Sequence, residues 1–161
     1  MARKQVAARR HQSPYRDHHE QCQYSWALRE FGVMHLPWEL LDLPCPRQIP
    51  KAYELDHIYG KRGPCEDTVN YMMAHPVAHT WKTDNTKLGR ITAMWCKIRL
   101  QKMGGSPFLH WDEDAVARIW GKRPLGMLSI WADEWDSDLP VWCQNMVLDI
   151  REMLGSMPTG E

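Results

Sequence analysis

Residues 52–85, AYELDHIYGKRGPCEDTVNYMMAHPVAHTWKTDN, admit few local structures, because their turn and helix punctuation falls at fixed places. Across residues 52–58, Tyr53, Leu55 and His57 lie on one parity and Ala52, Glu54, Asp56 and Ile58 on the other. A strand here turns Asp56 and His57 to opposite sides. Gly60-Lys61-Arg62-Gly63-Pro64 is strong turn punctuation, and residues 68–73 can return antiparallel. Pro76 suits a first helical position, where its missing N–H costs nothing, and it opens a helix with His79 in the first turn. The stretch therefore predicts a hairpin followed by a helix, an arrangement that gathers Asp56, His57, Asn70 and His79.

The flanks read as helical. Residues 1–12 form a basic arm, and from about residue 17 to residue 31 Cys22, Trp26 and Phe31 fall near one helical face, with Gly32 a plausible C-cap. His18 and His19 stand at that helix's start and read as solvated. Four prolines in residues 33–50 exclude an uninterrupted helix and make a stiff connector around a short WELLDL helix. Residues 86–103 carry Leu88, Ile91, Trp95 and Ile98 at helical spacing, with Lys87, Arg90, Lys97, Arg99 and Lys102 on the remaining surface. Gly104-Gly105-Ser106-Pro107 marks a boundary. Beyond it, Asp112-Glu113-Asp114 opens a helix bearing Val116, Ile119 and Trp120. Gly121 to Gly126 is a break, and Leu128, Trp131 and Trp135 suggest another short helix. A last helix has Asp138 near its N-cap, Pro140 in its first turn, Cys143, Met146, Val147, Ile150 and Leu154 on one face, and Gly155 after it. By this spacing the nine Trp residues are mostly core.

The expected fold is thus α+β and mainly helical. Residues 1–50 supply a basic arm, helix and connector, residues 51–103 the central unit with its basic helix, and residues 104–161 an acidic, Trp-rich helical region. At 161 residues with 43% hydrophobic composition the chain can bury a core. No apolar run approaches the roughly 20 residues that span a bilayer, so the chain reads as soluble, intracellular and free of membrane. Five widely spaced cysteines without a CxxC pair argue against a disulfide framework and a four-cysteine zinc knuckle.

Lys+Arg and Asp+Glu number 20 each, yet the charges are segregated. Residues 1–20 hold five basic against two acidic side chains, residues 47–103 ten against five, and residues 121–161 three against seven. A basic N-terminal half and centre suit a polyanion, since phosphate contacts from Lys and Arg supply much of nucleic-acid affinity.

The order Asp56-His57, Asn70 thirteen residues after His57, and His79 nine residues after Asn70 resembles the HNH endonuclease family. The segment His79-Thr-Trp-Lys-Thr-Asp-Asn85 is similar to the end of the HNH domain in RNA-guided CRISPR nucleases. The resemblance covers about 35 residues and implies a central ββα-metal finger with flanking helices that hydrolyses phosphodiesters, DNA ahead of RNA. It implies that Asp56 and His79 hold one divalent metal, Mg²⁺ or Mn²⁺ first and Zn²⁺ or Ni²⁺ as alternatives. By the same resemblance His57 is the general base, and Asn70 orients the His57 ring by hydrogen bonding. The chemistry wants these types: a carboxylate is a hard metal ligand, an imidazole a borderline one, and a neutral imidazole accepts a proton from water.

Lys82 is the candidate phosphate contact, with His75 and Asn85 as further site or phosphate contacts. His75 stands where many relatives carry a Cys of a structural zinc site. His75 and His79 also have the spacing of a zinc-protease helix, but Pro76 occupies the place of the required Glu. Proteins of this kind and size are common in bacteriophages and mobile elements, which implies the cytoplasm of a bacterial or phage-infected cell. Two alternatives stand beside this reading. One is an RNase using the same site, and the other a non-catalytic nucleic-acid-binding or phage structural protein that keeps the finger as scaffold.

Overall fold

The computed structural model describes residues 21–31, 51–59, 67–103, 111–121 and 139–155. These are mainly helical, with one two-stranded antiparallel sheet. The basic arm, His18 and His19, the proline connector, the 60–64 turn, the 104–107 boundary and the helix expected near Leu128 to Trp135 lie outside the described residues.

Strand β1 (Glu54–His57) pairs with β2 (Tyr71–Ala74) in the register Glu54 with Ala74, Leu55 with Met73, Asp56 with Met72 and His57 with Tyr71. The alternation expected of residues 52–58 holds across Glu54–His57, while Ala52, before the strand, joins the cluster of the other parity. Glu54, Asp56, Met72 and Ala74 share the face that looks toward the main core, while Leu55 and Tyr71 pack with Ala52 and Met73 in a small separate cluster. A single 3₁₀ turn, Thr68–Asn70, leads into β2, capped by Asp67, whose side chain accepts from Val69 N at 3.1 Å. After β2 the chain enters helix α2 (Pro76–Asp84) with Pro76 in its first turn, as the sequence predicts.

Helix α3 (Thr86–Ile98) continues through a π-helical turn at Arg99–Met103 and forms the centre of the fold. It packs against helix α1 (Gln23–Glu30), α2 and helix α5 (Val141–Leu154). Of the expected stripe Leu88, Ile91, Trp95 and Ile98, Leu88 is partly covered and the other three are buried, and with neighbours on several sides the helix also buries Ala93, Met94, Cys96, Thr92 and Lys97. The α2–α3 corner is tight. A Cβ at Gly89 would come within 2.3 Å of the Lys82 carbonyl oxygen, so only glycine lets the two backbones approach this closely.

Of the basic flank expected on this helix, Lys97 is turned inward, and Arg99 and Lys102 pair with acids of other segments. Lys97 is 1% exposed and its ammonium donates to the Thr68 and Tyr71 carbonyls, both at 2.8 Å, stapling the 3₁₀ turn and β2 to α3. Arg99 pairs with Asp149 of α5 at 3.1 Å and lies over the Phe31 and Trp95 rings. Lys102 reaches Glu113 at 3.3 Å. Burial pushes the Lys97 amine well below its ordinary range, opposed by the field of Asp67. Between that lowered value and the unfolded value of 10.5, the unfolded chain binds more protons than the folded one, so stability rises with pH there. Lys97→Ala is expected to cost at least about 2 kcal/mol for emptying a buried site. Urea melts should show the deficit of Lys97→Ala against wild type widening as pH rises toward 10.5. A constant deficit would mean that Lys97 titrates alike in both states.

Helix α1 differs from expectation in the face it buries. Tyr24, Ala27 and Leu28 are buried beside Cys22, whereas Trp26 and Phe31 are only partly covered. The reason is polar as well as apolar: Gln23 Oε1 accepts from Met73 N at 2.9 Å, and the Tyr24 hydroxyl donates to Asp56 Oδ2, which turns this edge of the helix to the hairpin. Helix α4 (Glu113–Trp120) begins at Asp112, whose Oδ1 accepts from Asp114 N and Ala115 N. It buries Val116, Ile119 and Trp120 as predicted. In α5 the expected face of Cys143, Met146, Val147 and Ile150 is buried, with Leu154 partly so. Pro140 is the N-cap of that helix rather than a first-turn residue, and Gly155 ends it at φ +70°. Of the Trp residues described, Trp95 and Trp120 are buried and Trp26, Trp81, Trp111 and Trp142 pack against the core.

Candidate active site

A cleft of about 300 Å³ opens at the end of β1, walled by Asp56, His57, Ile58, His79, Lys82, Thr83, Thr86 and Arg90. Four of the residues singled out in the sequence, Asp56, His57, His79 and Lys82, therefore meet on one concavity. Asn70, His75 and Asn85 do not line it.

Asp56 is 2% exposed, an expensive place for a carboxylate unless it is paired. Its two oxygens have separate partners. Oδ2 accepts from the Tyr24 hydroxyl, whereas Oδ1 accepts from Lys82 Nζ at 3.0 Å and lies 3.3 Å from His79 Nε2. Burial and the adjacent Asp56 carboxylate push the Tyr24 phenol well above its ordinary range, which keeps it a proton donor. The other nitrogen of His79, Nδ1, is 2.6 Å from Glu54 Oε2. A Glu54 carboxylate accepting from Nδ1–H leaves the Nε2 lone pair facing Asp56, the arrangement in which carboxylates orient metal-binding histidines.

These atoms fit a divalent cation by their donor chemistry. An ion held at about 2.0–2.2 Å by two ligands near a right angle sets those ligands about 3 Å apart, and Oδ1 and Nε2 are 3.3 Å apart. Two protein ligands with the remaining positions filled by water and phosphate is the mode Mg²⁺ prefers. No group of three or more His, Cys, Asp or Glu side chains is arranged around a common point among the described residues, so a closed structural zinc site has no support there.

His57 projects from the opposite parity and packs edge-to-face on Tyr71, ring centroids 5.1 Å apart. Its main chain is held from two sides. Lys82 Nζ donates to the His57 carbonyl at 2.8 Å, and Ile58 N donates to the Asn70 carbonyl at 2.9 Å. The Asn70 side chain clamps the next peptide: Oδ1 accepts from Tyr59 N at 3.1 Å, and Nδ2 donates to Tyr59 O at 2.8 Å. Oδ1 also accepts from Trp120 Nε1 at 3.0 Å. These Asn70 contacts bear on His57 through the backbone two residues on.

Asn70→Ala is expected to cost at least about 3 kcal/mol, because the Tyr59 N–H, the Tyr59 C=O and the Trp120 indole each lose a buried partner worth about 1 kcal/mol or more. Urea denaturation measures this, and a loss within about 0.5 kcal/mol, the range of ordinary surface changes, would show that the clamp carries no weight.

The remaining candidates have local duties. Lys82, expected to contact phosphate, spends its ammonium on Asp56 and the His57 carbonyl. His75 is the N-cap of α2, with Nδ1 accepting from Val77 N at 3.2 Å. Burial lowers its pKa, with Glu54 pulling the other way. Asn85 closes α2 by donating Nδ2 to the Trp81 carbonyl at 2.9 Å, forming the corner to α3.

Three residues of this region escape a reading of the sequence as a site. Glu54 shares strand parity with Asp56, and that signal could have found it. Tyr24 lies 32 positions before Asp56 with no local pattern linking them. Arg90 reads only as one of several charges on a helix. No protein-family model, curated protein or solved structure matches the chain.

Proposed function

We propose that this chain is a metal-dependent endonuclease of the HNH kind, built on a ββα-metal finger and cutting phosphodiester bonds in DNA. The observation that carries the reading is the approach of Asp56 Oδ1 and a Glu54-oriented His79 Nε2 to each other in one cleft whose wall also includes His57. Asp56 and His79 hold the cation, Mg²⁺ or Mn²⁺, and Tyr24 fixes which Asp56 oxygen faces it. When bound, the cation neutralises charge developing on the leaving oxygen. His57, as the neutral imidazole, takes a proton from a water molecule while that water's oxygen bonds to phosphorus and one ester P–O bond breaks. The leaving oxygen takes up a proton from solvent. Lys82 and Asn70 hold the backbone at residues 57–59, so the base keeps its place through the reaction.

The Lys82–Asp56 ion pair gives a second reading some support, because it already neutralises the carboxylate without a metal. On that reading the finger is a scaffold in a non-catalytic nucleic-acid-binding or phage structural protein. Supercoiled plasmid and a labelled RNA, each incubated with Mg²⁺ or Mn²⁺ and with EDTA, separate the possibilities. Metal-dependent relaxation or linearisation of plasmid, abolished by EDTA, is expected. RNA cleavage alone would make the site a ribonuclease, and no cleavage of either polymer would leave the scaffold reading. Among the described residues no helix is long and apolar enough to cross a membrane.

A further inference from the structure

Two cations line the cleft, and they are differently engaged. Lys82 is bonded to Asp56 and to the His57 carbonyl. Arg90, on α3, lies with its guanidinium carbon 4.9 Å from the centroid of the Tyr59 ring, and its Nε is buried without a hydrogen-bond acceptor among the described residues. A buried donor of this kind calls for a partner. Against Lys82 and Arg90 the cleft wall sets one carboxylate, Asp56, so with neutral histidines the concavity favours an anion.

The position of Arg90 is also supported. Its guanidinium lies over the Tyr59 ring as a cation–π contact, and Tyr59 is itself clamped by Asn70, which the Trp120 indole holds. Trp120, Asn70, Tyr59 and Arg90 thus form a continuous chain of contacts from the buried end of α4 to the cleft. A guanidinium backed in this way suits a planar fork that meets two oxygens of one phosphate.

We infer that Arg90 is the residue that grips the phosphodiester under attack, taking its non-bridging oxygens through the guanidinium, while Lys82 serves to position Asp56 and His57. The inference rests on the nuclease reading above and gives that site its phosphate-binding group. Arg90 meets the charge that grows on those oxygens as the fifth bond to phosphorus forms, so its effect is expected in kcat as well as in KM.

The test compares wild type with Arg90→Lys, Arg90→Met and His57→Ala, using a fluorescent DNA duplex and Mn²⁺. Thermal melts and Mn²⁺ calorimetry serve as controls, since Arg90→Met keeps an apolar stem over Tyr59. Arg90→Met is expected to lower kcat/KM by roughly 10²–10³-fold, as for loss of one transition-state donor, with Mn²⁺ affinity unchanged. Arg90→Lys should recover only a minor part, because an ammonium is a point charge and cannot make the paired contact. Millimolar guanidinium ion should partly restore Arg90→Met and leave His57→Ala unaffected. If wild type cuts and a folded Arg90→Met cuts within a few-fold of it, the inference is overturned and the nuclease reading stands. Full activity in Arg90→Lys overturns the paired grip as well. If wild type cuts no better than His57→Ala, the nuclease reading fails and takes this inference with it.

Discussion

Replacing His57 with alanine is expected to lower DNA cleavage by roughly 10²–10⁴-fold, the usual range for losing a general base, while Mn²⁺ binding and DNA binding stay close to wild type. The separation follows from the strand parity. Asp56 turns to the core face, where Tyr24, Lys82 and His79 meet it, and His57 projects from the other parity against Tyr71. Removing the His57 ring leaves its carbonyl, and with it the Lys82 contact, in place. Only the neutral imidazole can take a proton, which is the form this role requires. Single-turnover kinetics on a labelled duplex, with calorimetry of Mn²⁺ binding, check both halves. A variant that cuts like wild type would remove His57 from the chemistry.

The second large effect belongs to the opposite face. His79→Ala should weaken Mn²⁺ binding enough that cleavage is lost at ordinary metal concentration and partly regained when more is added. Glu54→Gln is the more diagnostic change, since it alters neither proposed ligand. It replaces the carboxylate 2.6 Å from Nδ1 with a neutral amide, which weakens the hold on the tautomer that presents Nε2 to the cleft. Loss of such an orienting partner is expected to cost about 10–100-fold in metal affinity. Calorimetry decides the matter. Unchanged affinity in Glu54→Gln would show that the pair is an ordinary ion pair, and loss of metal from His57→Ala with retention in His79→Ala would reverse the two histidines' roles.

Much of the local architecture was legible in the sequence because it depends on short-range backbone preference. The parity of residues 54–57, Pro76 in the first turn of α2, Asp112 before α4 and Gly155 after α5 are each set by a few neighbouring residues and appear as expected. The motif residues Asp56, His57 and His79 reach one cleft for the same reason: a hairpin followed by a helix leaves them little choice.

What only the tertiary structure decided is which partner each polar group finds, and those partners come from far along the chain. Lys97 looks like a surface charge by its helical position. It is buried because α3 is packed on several sides, and its amine is the donor that the carbonyls of the 3₁₀ turn and β2 can reach. Tyr24 reaches Asp56 across 32 positions and Trp120 reaches Asn70 across 50, distances over which no periodicity carries information. Lys82 and Arg90 are both cations on neighbouring helices, yet the close α2–α3 crossing at Gly89 commits one to Asp56 and leaves the other over Tyr59 at the cleft. The chain's own pattern determined a strand, a turn and a helix carrying the right side chains. Their pairing was decided by burial, since a polar group taken out of water must be matched by whatever donor or acceptor the packed helices bring within about 3 Å.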